Sequence, residues 1–355
     1  MNRCVRCLIP DTRPDTAFVN GVCSACLNHD AQQKIDWKAR KGDLIALLDR
    51  HKGKGPYDCI VASSGGKDST AQVLSLLCMG VRPLIVTATT CMLTDMGRRN
   101  IDNLKRYAST IEVTPNQTTR AKLNLLGLTL VGDVSWPEHV DIFTTPIRMA
   151  VALGIPLVFY GENPQAAYGG PLGTEDAKQM TRRWVSEFGG FLGLRPADMI
   201  GWNKITRADM AEYQFPTDEA IEKSGVEAHF LGQYLGPWNS RENAKVAEDA
   251  GMEFELPFDG NWWPWENLDN AMTGLHDYMM YKKYGYGRAC AQLSVDIRNG
   301  YIDRGEAEKI LARKEGFFPT RYAGVSMQAI LDHLGITAKQ LDMLIDKFSA
   351  GKLGK

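Results

Sequence analysis

The chain of 355 residues carries 41 Lys and Arg against 42 Asp and Glu, a net charge of −1. At roughly 150 residues per domain this is enough for two or three folded units, and 44% hydrophobic with 23% charged residues excludes wholesale disorder, collagen-like and coiled-coil organisation. So balanced a chain lacks the electropositive field that accompanies tight non-specific nucleic-acid binding, and a nucleic-acid partner is not expected.

The first element in chain order is a cysteine quartet. Cys4, Cys7, Cys23 and Cys26 form two C-x2-C pairs separated by fifteen residues, the spacing of a structural zinc site, and Gly21 supplies flexible backbone before the second pair. A segment of about 30 residues cannot bury enough apolar surface to fold alone, so metal binding is expected to stabilise a module over residues 1–33. Four thiolates close the coordination shell, which points to a structural ion. The cysteines at 4 and 7 also precede any signal-peptide core, so a reducing cytoplasm is expected and a pair of disulfides is disfavoured. No apolar run, Pro83 to Leu93 and Ile155 to Tyr160 included, reaches the roughly 20 residues that span a membrane, and no membrane partner is expected. Cys59, Cys78, Cys91 and Cys290 are scattered and read as small hydrophobes.

After the polar stretch 34–55, Tyr57 to Ala62 reads as a buried strand, Ser63 to Thr70 as a glycine turn, and Ala71 to Leu77 as a helix ending near Gly80. A strand, glycine turn and helix start make an anion-binding geometry, in which Gly65 and Gly66 present N–H groups and Ser63, Ser64 and Ser69 add donors. It is not a Walker A loop, because Val61 and Asp68 stand where Gly and Ser or Thr are required. Val81 to Ala88 reads as a second strand, Gly97 to Tyr107 as a helix, Thr110 to Val113 as a third strand, Pro137 to Gly154 as a helix kinked at Pro146, and Ile155 to Tyr160 as a further strand. This alternation predicts an α/β fold: a mostly parallel sheet with helices on both faces and ligands at the carboxyl ends of its strands, where Gly161, Glu162 and Asn163 fall.

The hexapeptide Ser64-Gly65-Gly66-Lys67-Asp68-Ser69 resembles the signature of the PP-loop ATP pyrophosphatases. The resemblance implies a doubly wound Rossmann-type domain over residues 52–236 whose loop grips the pyrophosphate of ATP while the α-phosphate is transferred. It implies Lys67 and Asp68 as catalytic groups, with Lys67 neutralising phosphate charge and Asp68 helping to hold Mg²⁺. ATP contacts are expected from Ala62, Ser63, Ser64, Gly65, Gly66, Lys67, Asp68, Ser69, Thr87, Ala88, Gly161, Glu162 and Asn163.

The cysteine pairs, this loop, Tyr160-Gly161-Glu162-Asn163, Phe230-Leu231-Gly232-Gln233-Tyr234-Leu235, Lys283-Tyr284-Gly285-Tyr286-Gly287-Arg288 and Asp296-Ile297-Arg298-Asn299-Gly300 together resemble the N-acetyl sugar amidotransferases of surface-polysaccharide and nonulosonic acid biosynthesis, over nearly the whole chain. That resemblance implies conversion of a sugar acetamido group, on a nucleotide-linked or free sugar, to acetamidino. AMP first caps the amide oxygen, and ammonia then displaces AMP. No glutaminase nucleophile turn surrounds Cys91 or Cys290, so ammonia is expected from separate glutaminase and cyclase-like subunits, one of which the zinc module could dock.

Residues 237–355 read as a mainly helical substrate or partner region. Lys283, Arg288 and Arg298 are the phosphate or substrate candidates, and guanidinium forks such as those of Arg288, Arg298 and Arg304 suit carboxylate and phosphate oxygens, although salt-bridged helix faces would use them equally well. Asp303 and Glu306 read as a helix cap, and Trp262, Trp263 and Trp265 as loop anchors more than sugar platforms. Ser326 to Phe348 reads as two short packed helices with a Thr337–Gln340 capping box. Two rival functions stay open at this point: a tRNA-thiolating enzyme of the same superfamily, which Cys91 keeps in play, and a non-catalytic zinc and nucleotide-binding assembly subunit.

Overall fold

The computed structural model describes residues 1–174 and 176–349. The N-terminal segment folds as a two-residue hairpin, β1 (Phe18–Val19) on β2 (Val22–Cys23), followed by α1 (Ser24–Gln32) and by α2 (Trp37–His51), whose start is capped by Asp36 accepting from the Ala39 amide. The sheet strands then alternate with helices: β3 (Cys59–Ala62), α3 (Lys67–Cys78), β4 (Pro83–Ala88), α4 (Asp95–Leu104), β5 (Thr110–Val113), α5 (Gln117–Val131), α6 (Trp136–Leu153) and β6 (Leu157–Tyr160). Three short helices, α7 (Pro164–Tyr168), α8 (Arg182–Phe188) and α9 (Asp218–Ser224), lead to β7 (Glu227–Phe230).

The five strands form one parallel sheet in the order β5-β4-β3-β6-β7. Residues of alternate parity feed two cores, as a sheet covered on both faces requires. On one face Ile60, Leu84, Val86 and Val158 meet Trp136, Val140 and Ile147 of α6; on the other Cys59, Val61, Ile85 and Phe159 meet Leu44 and Leu48 of α2 and Val73 and Leu76 of α3. The chain leaves β3 towards β4 and β5, then crosses back to β6 on the other side of β3. The strand order therefore reverses between β3 and β6, and their carboxyl ends, Ala62 and Tyr160, flank the crevice such a reversal opens.

The expected elements are present, and others join them, among them α2, inside the polar stretch 34–55, α5 and the edge strand β7. The helix expected over 137–154 is α6, which runs from Trp136 to Leu153 with Pro146 inside it; Pro146, which cannot donate to the Ile142 carbonyl, lines a cleft together with Ile142. Helix α5 was not foreseen, although Asn116 caps it by accepting from the Thr119 amide and Gly132 ends it at φ +65°, the two ordinary helix boundary signals.

Beyond the sheet come α10 (Gly232–Leu235), α11 (Ser240–Asp249), α12 (Thr273–Tyr284), α13 (Arg288–Arg298), α14 (Arg304–Lys314), a second small hairpin of β8 (Arg321–Tyr322) and β9 (Val325–Ser326), α15 (Met327–Leu334) and α16 (Ala338–Phe348). Asp303 caps α14 by accepting from the Glu306 amide. The last two helices pack as expected: Ile330, Leu334, Leu341, Ile345 and Phe348 join Leu275 and Met279 of α12 and Leu128 of α5, and Thr337 and Gln340 exchange the bonds of a capping box. No helix among the described residues is long and apolar enough to cross a membrane.

Glu315 closes the start of α13 by accepting from the Cys290 amide at 2.6 Å. Burial outweighs its backbone bonds and pushes the carboxyl from 4.5 up to about 7. An acid whose folded pKa exceeds its unfolded one binds the extra proton in the folded state, so its contribution to stability is lost as pH rises between about 4.5 and 7 and the penalty is complete above that window. Thermal denaturation across it should fall less steeply with pH for Glu315→Gln than for the parent chain; an unchanged slope would contradict this assignment.

Candidate functional site

The turn between β3 and α3 is shaped by one glycine in particular. Gly65 sits at φ +81°, and a Cβ there would lie 2.8 Å from both the amide nitrogen and Cγ1 of Ile101, so α4 packs directly on its backbone. Gly65→Ala is expected to lower stability by about 1–3 kcal/mol, measurable by denaturant unfolding; an alanine variant as stable as the parent would show that the turn can relax. The Gly65 amide donates to Ser63 Oγ at 3.1 Å, and the hydroxyls of Ser69 and Thr70 donate to the Gly66 carbonyl at 2.9 and 3.0 Å. The helix ladder begins with the Thr70 amide on that same carbonyl, which leaves the amides of Lys67, Asp68 and Ser69 ahead of it at the positive end of the helix dipole.

Side chains from distant segments converge on this turn. Lys67, 5% exposed, donates through Nζ to Asp68 Oδ2 at 2.6 Å and to Glu266 Oε1 at 2.8 Å. Burial alone would discharge the ammonium; Asp68, Glu266 and Glu162 overcome it and hold Lys67 well above its usual value. Asp68 Oδ1 accepts from Trp238 Nε1 at 3.0 Å and from Asn243 Nδ2 at 2.8 Å, so α11 and the turn before it aim this carboxylate. Glu266 is held in turn by Gln292 Nε2 at 2.9 Å. Glu162 is pushed up to about 8 by burial and by the Asp68 carboxylate beside it.

These groups line a cleft of about 590 Å³ that runs from the glycine turn across the carboxyl ends of β3 and β6. Of the residues expected to contact ATP, Ala62, the whole run Ser63 to Ser69, Ala88, Gly161 and Glu162 line it. Thr87 points into the buried interior of the sheet. Asn163 caps α7, accepting from the Gln165 amide and donating to the Thr174 carbonyl, and stands behind the cleft wall.

The three basic candidates of the C-terminal region part company. Arg288 lines the cleft, held by a two-pronged ion pair to Asp277 at 2.9 and 3.2 Å. Lys283 does not: its ammonium donates to the Val131 carbonyl and lies over the Tyr284 and Phe348 rings, an anchor of α12 onto α5. Arg298 bonds the Ala167 carbonyl at 2.5 Å and reaches Cys7 Sγ at 3.8 Å, so it belongs to the cysteine cluster, as does Arg304 through the Cys4 carbonyl. Trp262 and Trp263 both donate to Asp296 as anchors, whereas Trp265 lines the cleft.

Sequence reasoning missed a buried ionic group that also lines the cleft. Arg120 of α5, 1% exposed, pairs with Glu138 and Asp141 of α6 and with the Tyr213 hydroxyl. Among the described residues, five buried polar atoms on the cleft wall have no hydrogen-bond partner: Arg13 Nε, Gln72 Oε1, Thr90 Oγ1, His139 Nδ1 and Asp141 Oδ1. Such orphans are rare in packed interiors, and their collection along one cavity fits a polar ligand. Cys91 Sγ lies 3.3 Å from Glu138 Oε1, and burial with that carboxylate pushes the thiol far above its ordinary value.

At the N-terminus all four cysteines are buried, with Sγ atoms mutually within 4.8 Å and spacings of 3.6 Å for Cys7–Cys23 and 3.9 Å for Cys4–Cys26. Four sulfurs about 2.3 Å from a common tetrahedral centre lie about 3.8 Å apart, so the quartet has the dimensions to hold zinc. Cys4 Sγ accepts from the amides of Arg6 and Cys23, as a thiolate would. The segment is packed onto α13 through Leu8, whose amide donates to Ser294 Oγ, and it reaches the cleft through Arg13, which bonds the Tyr286 hydroxyl.

The class defined so far is an α/β protein with a five-stranded parallel sheet, a glycine turn at the strand-order reversal and a cysteine quartet with the dimensions to hold zinc. Residues 256–353 match the family described as LPS biosynthesis protein WbpG-like, C-terminal domain. That match, over the C-terminal part of the chain, supports the N-acetyl sugar amidotransferase resemblance read from the sequence. The matched stretch contributes Trp265, Glu266, His276 and Arg288 to the cleft wall. No curated protein matches the chain.

Proposed function

We propose that this lipopolysaccharide biosynthesis protein is an AMP-forming amidotransferase of the PP-loop type that converts a sugar acetamido group to acetamidino. The observation that carries the reading is the Lys67–Asp68–Glu266 cluster, in which the family-matched segment completes the glycine turn. One ammonium facing the Asp68 and Glu266 carboxylates leaves the turn too acidic for a bare triphosphate, whereas a nucleotide carrying a divalent cation is compatible with it. Mg²⁺ would be held by Asp68 and would supply charge neutralisation to the phosphates.

In this scheme the amides of Lys67, Asp68 and Ser69 and the Lys67 ammonium grip the two outer phosphates. The acetamido oxygen attacks the α-phosphorus, the bond to the bridging oxygen breaks, and pyrophosphate leaves with the electron pair. Capping is needed because an amide carbon is a poor electrophile and oxide a hopeless leaving group. Ammonia then adds to the imidate carbon, AMP departs, and the amidine remains. The ammonia is assigned to separate glutaminase and cyclase-like subunits, and the zinc module is a candidate dock for one of them.

The test is incubation of the chain with ATP, Mg²⁺, an ammonium salt and a panel of nucleotide-linked and free acetamido sugars, read by mass spectrometry. Exchange of one oxygen for NH in a single sugar, with AMP in equal amount, is expected. AMP release without any nitrogen incorporation across the panel would contradict the acceptor assignment. The thiolation reading is disfavoured by Cys91, whose thiol is held protonated and lies off the cleft wall.

A further inference from the structure

The orphaned nitrogen of His139 belongs to a second group of metal-ligating side chains, remote in sequence from the cysteines. Asp133 opens the turn that leads into α6 and is 4% exposed. Its Oδ1 accepts from the Ser135 amide at 2.8 Å and lies 2.7 Å from His276 Nδ1; its Oδ2 lies 3.3 Å from His139 Nδ1. His139 comes from the first turn of α6 and His276 from α12, and their rings meet edge to face with centroids 5.3 Å apart. The three ligand atoms all lie within 4.8 Å of one another.

A simple hydrogen-bonded clamp, with one carboxylate between two imidazoles, accounts for His276 but not for His139. Its Nδ1 approaches Asp133 without a hydrogen bond and has no other partner. Both rings line the cleft, and the glycine pair 189–190 passes so close that a Cβ on Gly190 would stand 3.0 Å from that nitrogen. Behind the other ring, His276 Nε2 faces Asp277 Oδ1 at 3.8 Å, and Arg288 holds that carboxylate. Carboxylate, imidazole and metal in line is the usual support for a histidine ligand.

We infer that Asp133, His139 and His276 bind a divalent transition metal ion at the wall of the cleft. Two imidazoles and one carboxylate suit Zn²⁺, Mn²⁺ or Fe²⁺ rather than Mg²⁺ or Ca²⁺, which prefer all-oxygen shells. Three protein ligands leave coordination positions open, and with both histidines on the cleft wall those positions face the cavity, where an oxygen of a bound molecule completes the shell. The site stands independently of the ATP chemistry, since none of its ligands touches Lys67, Asp68 or Glu266.

The experiment titrates the full, reduced, metal-stripped chain with Co²⁺, following visible absorption and bound metal by dialysis. Two equivalents are expected: one with the intense bands of thiolate ligation, and one with weak bands and hyperfine-shifted imidazole proton resonances. His139→Gln and His276→Gln should keep the thiolate bands, which report an intact N-terminal cluster, and bind the second equivalent at least about 100-fold more weakly. Binding of a single equivalent by the parent chain, a second equivalent without shifted imidazole resonances, or a second equivalent unchanged in both variants would each overturn the assignment. If a variant loses both equivalents, the parent-chain resonances decide the matter.

Discussion

Asp68→Asn should reduce AMP-forming turnover by about 10²-fold or more while leaving the fold intact, in line with the loss of other groups that stabilise developing charge. The amide is nearly isosteric and keeps an oxygen for Trp238 Nε1, so the change removes charge rather than shape. Lys67 would retain Glu266 as a partner and remain buried as an ammonium. What disappears is the carboxylate in the first turn of α3, the group proposed to hold the cation. Steady-state kinetics at saturating Mg²⁺, beside a thermal melt, measures the effect. Turnover within a few-fold of the parent would remove Asp68 from the machinery.

The second large effect concerns the cysteine quartet. Replacing Cys26 by Ser should abolish binding of one zinc per chain and release residues 1–33 from the helical region. The quartet lies at the centre of a small core with Ile9, Ala25 and Ile297, and its dismantling also frees Leu8 from Tyr286, Ala289 and Leu293. Structural zinc contributes about 10–16 kcal/mol in isolated finger peptides. If only 3–5 kcal/mol of that reaches the whole chain, the melting temperature should fall by roughly 10 °C at 2–4 °C per kcal/mol. Because Arg13 reaches the cleft from the same segment, KM for the acceptor should rise in parallel. Metal analysis, calorimetry and limited proteolysis measure these effects, and a zinc-free variant that melts with the parent would show that the quartet carries no structural ion.

How much of this was legible in the sequence depends on the distance over which each feature is encoded. The glycine turn and the cysteine quartet are local: a strand, two glycines and a helix start, or four thiols at fixed spacing, declare their geometry within 30 residues. Glu266 is invisible by the same logic, because its partner Lys67 lies 199 positions away and nothing about a glutamate after three tryptophans announces a phosphate site. Arg120, His139 and His276 are hidden likewise, since α5 and α12 meet only once the sheet has formed. Lys283 and Arg298 misled for the complementary reason. A cation near the end of a helix can serve a ligand or a neighbouring backbone carbonyl, and here the carbonyls of Val131 and Ala167 take them.

Which bond of ATP breaks is the point on which the functional account turns, and phosphorus NMR of a turnover mixture containing the zinc-loaded chain, Mg²⁺-ATP, an ammonium salt and the reactive acceptor reads it directly. Cleavage next to the α-phosphate predicts AMP and pyrophosphate in equal amounts, rising with amidine. ADP and orthophosphate accumulating in step with product would contradict it.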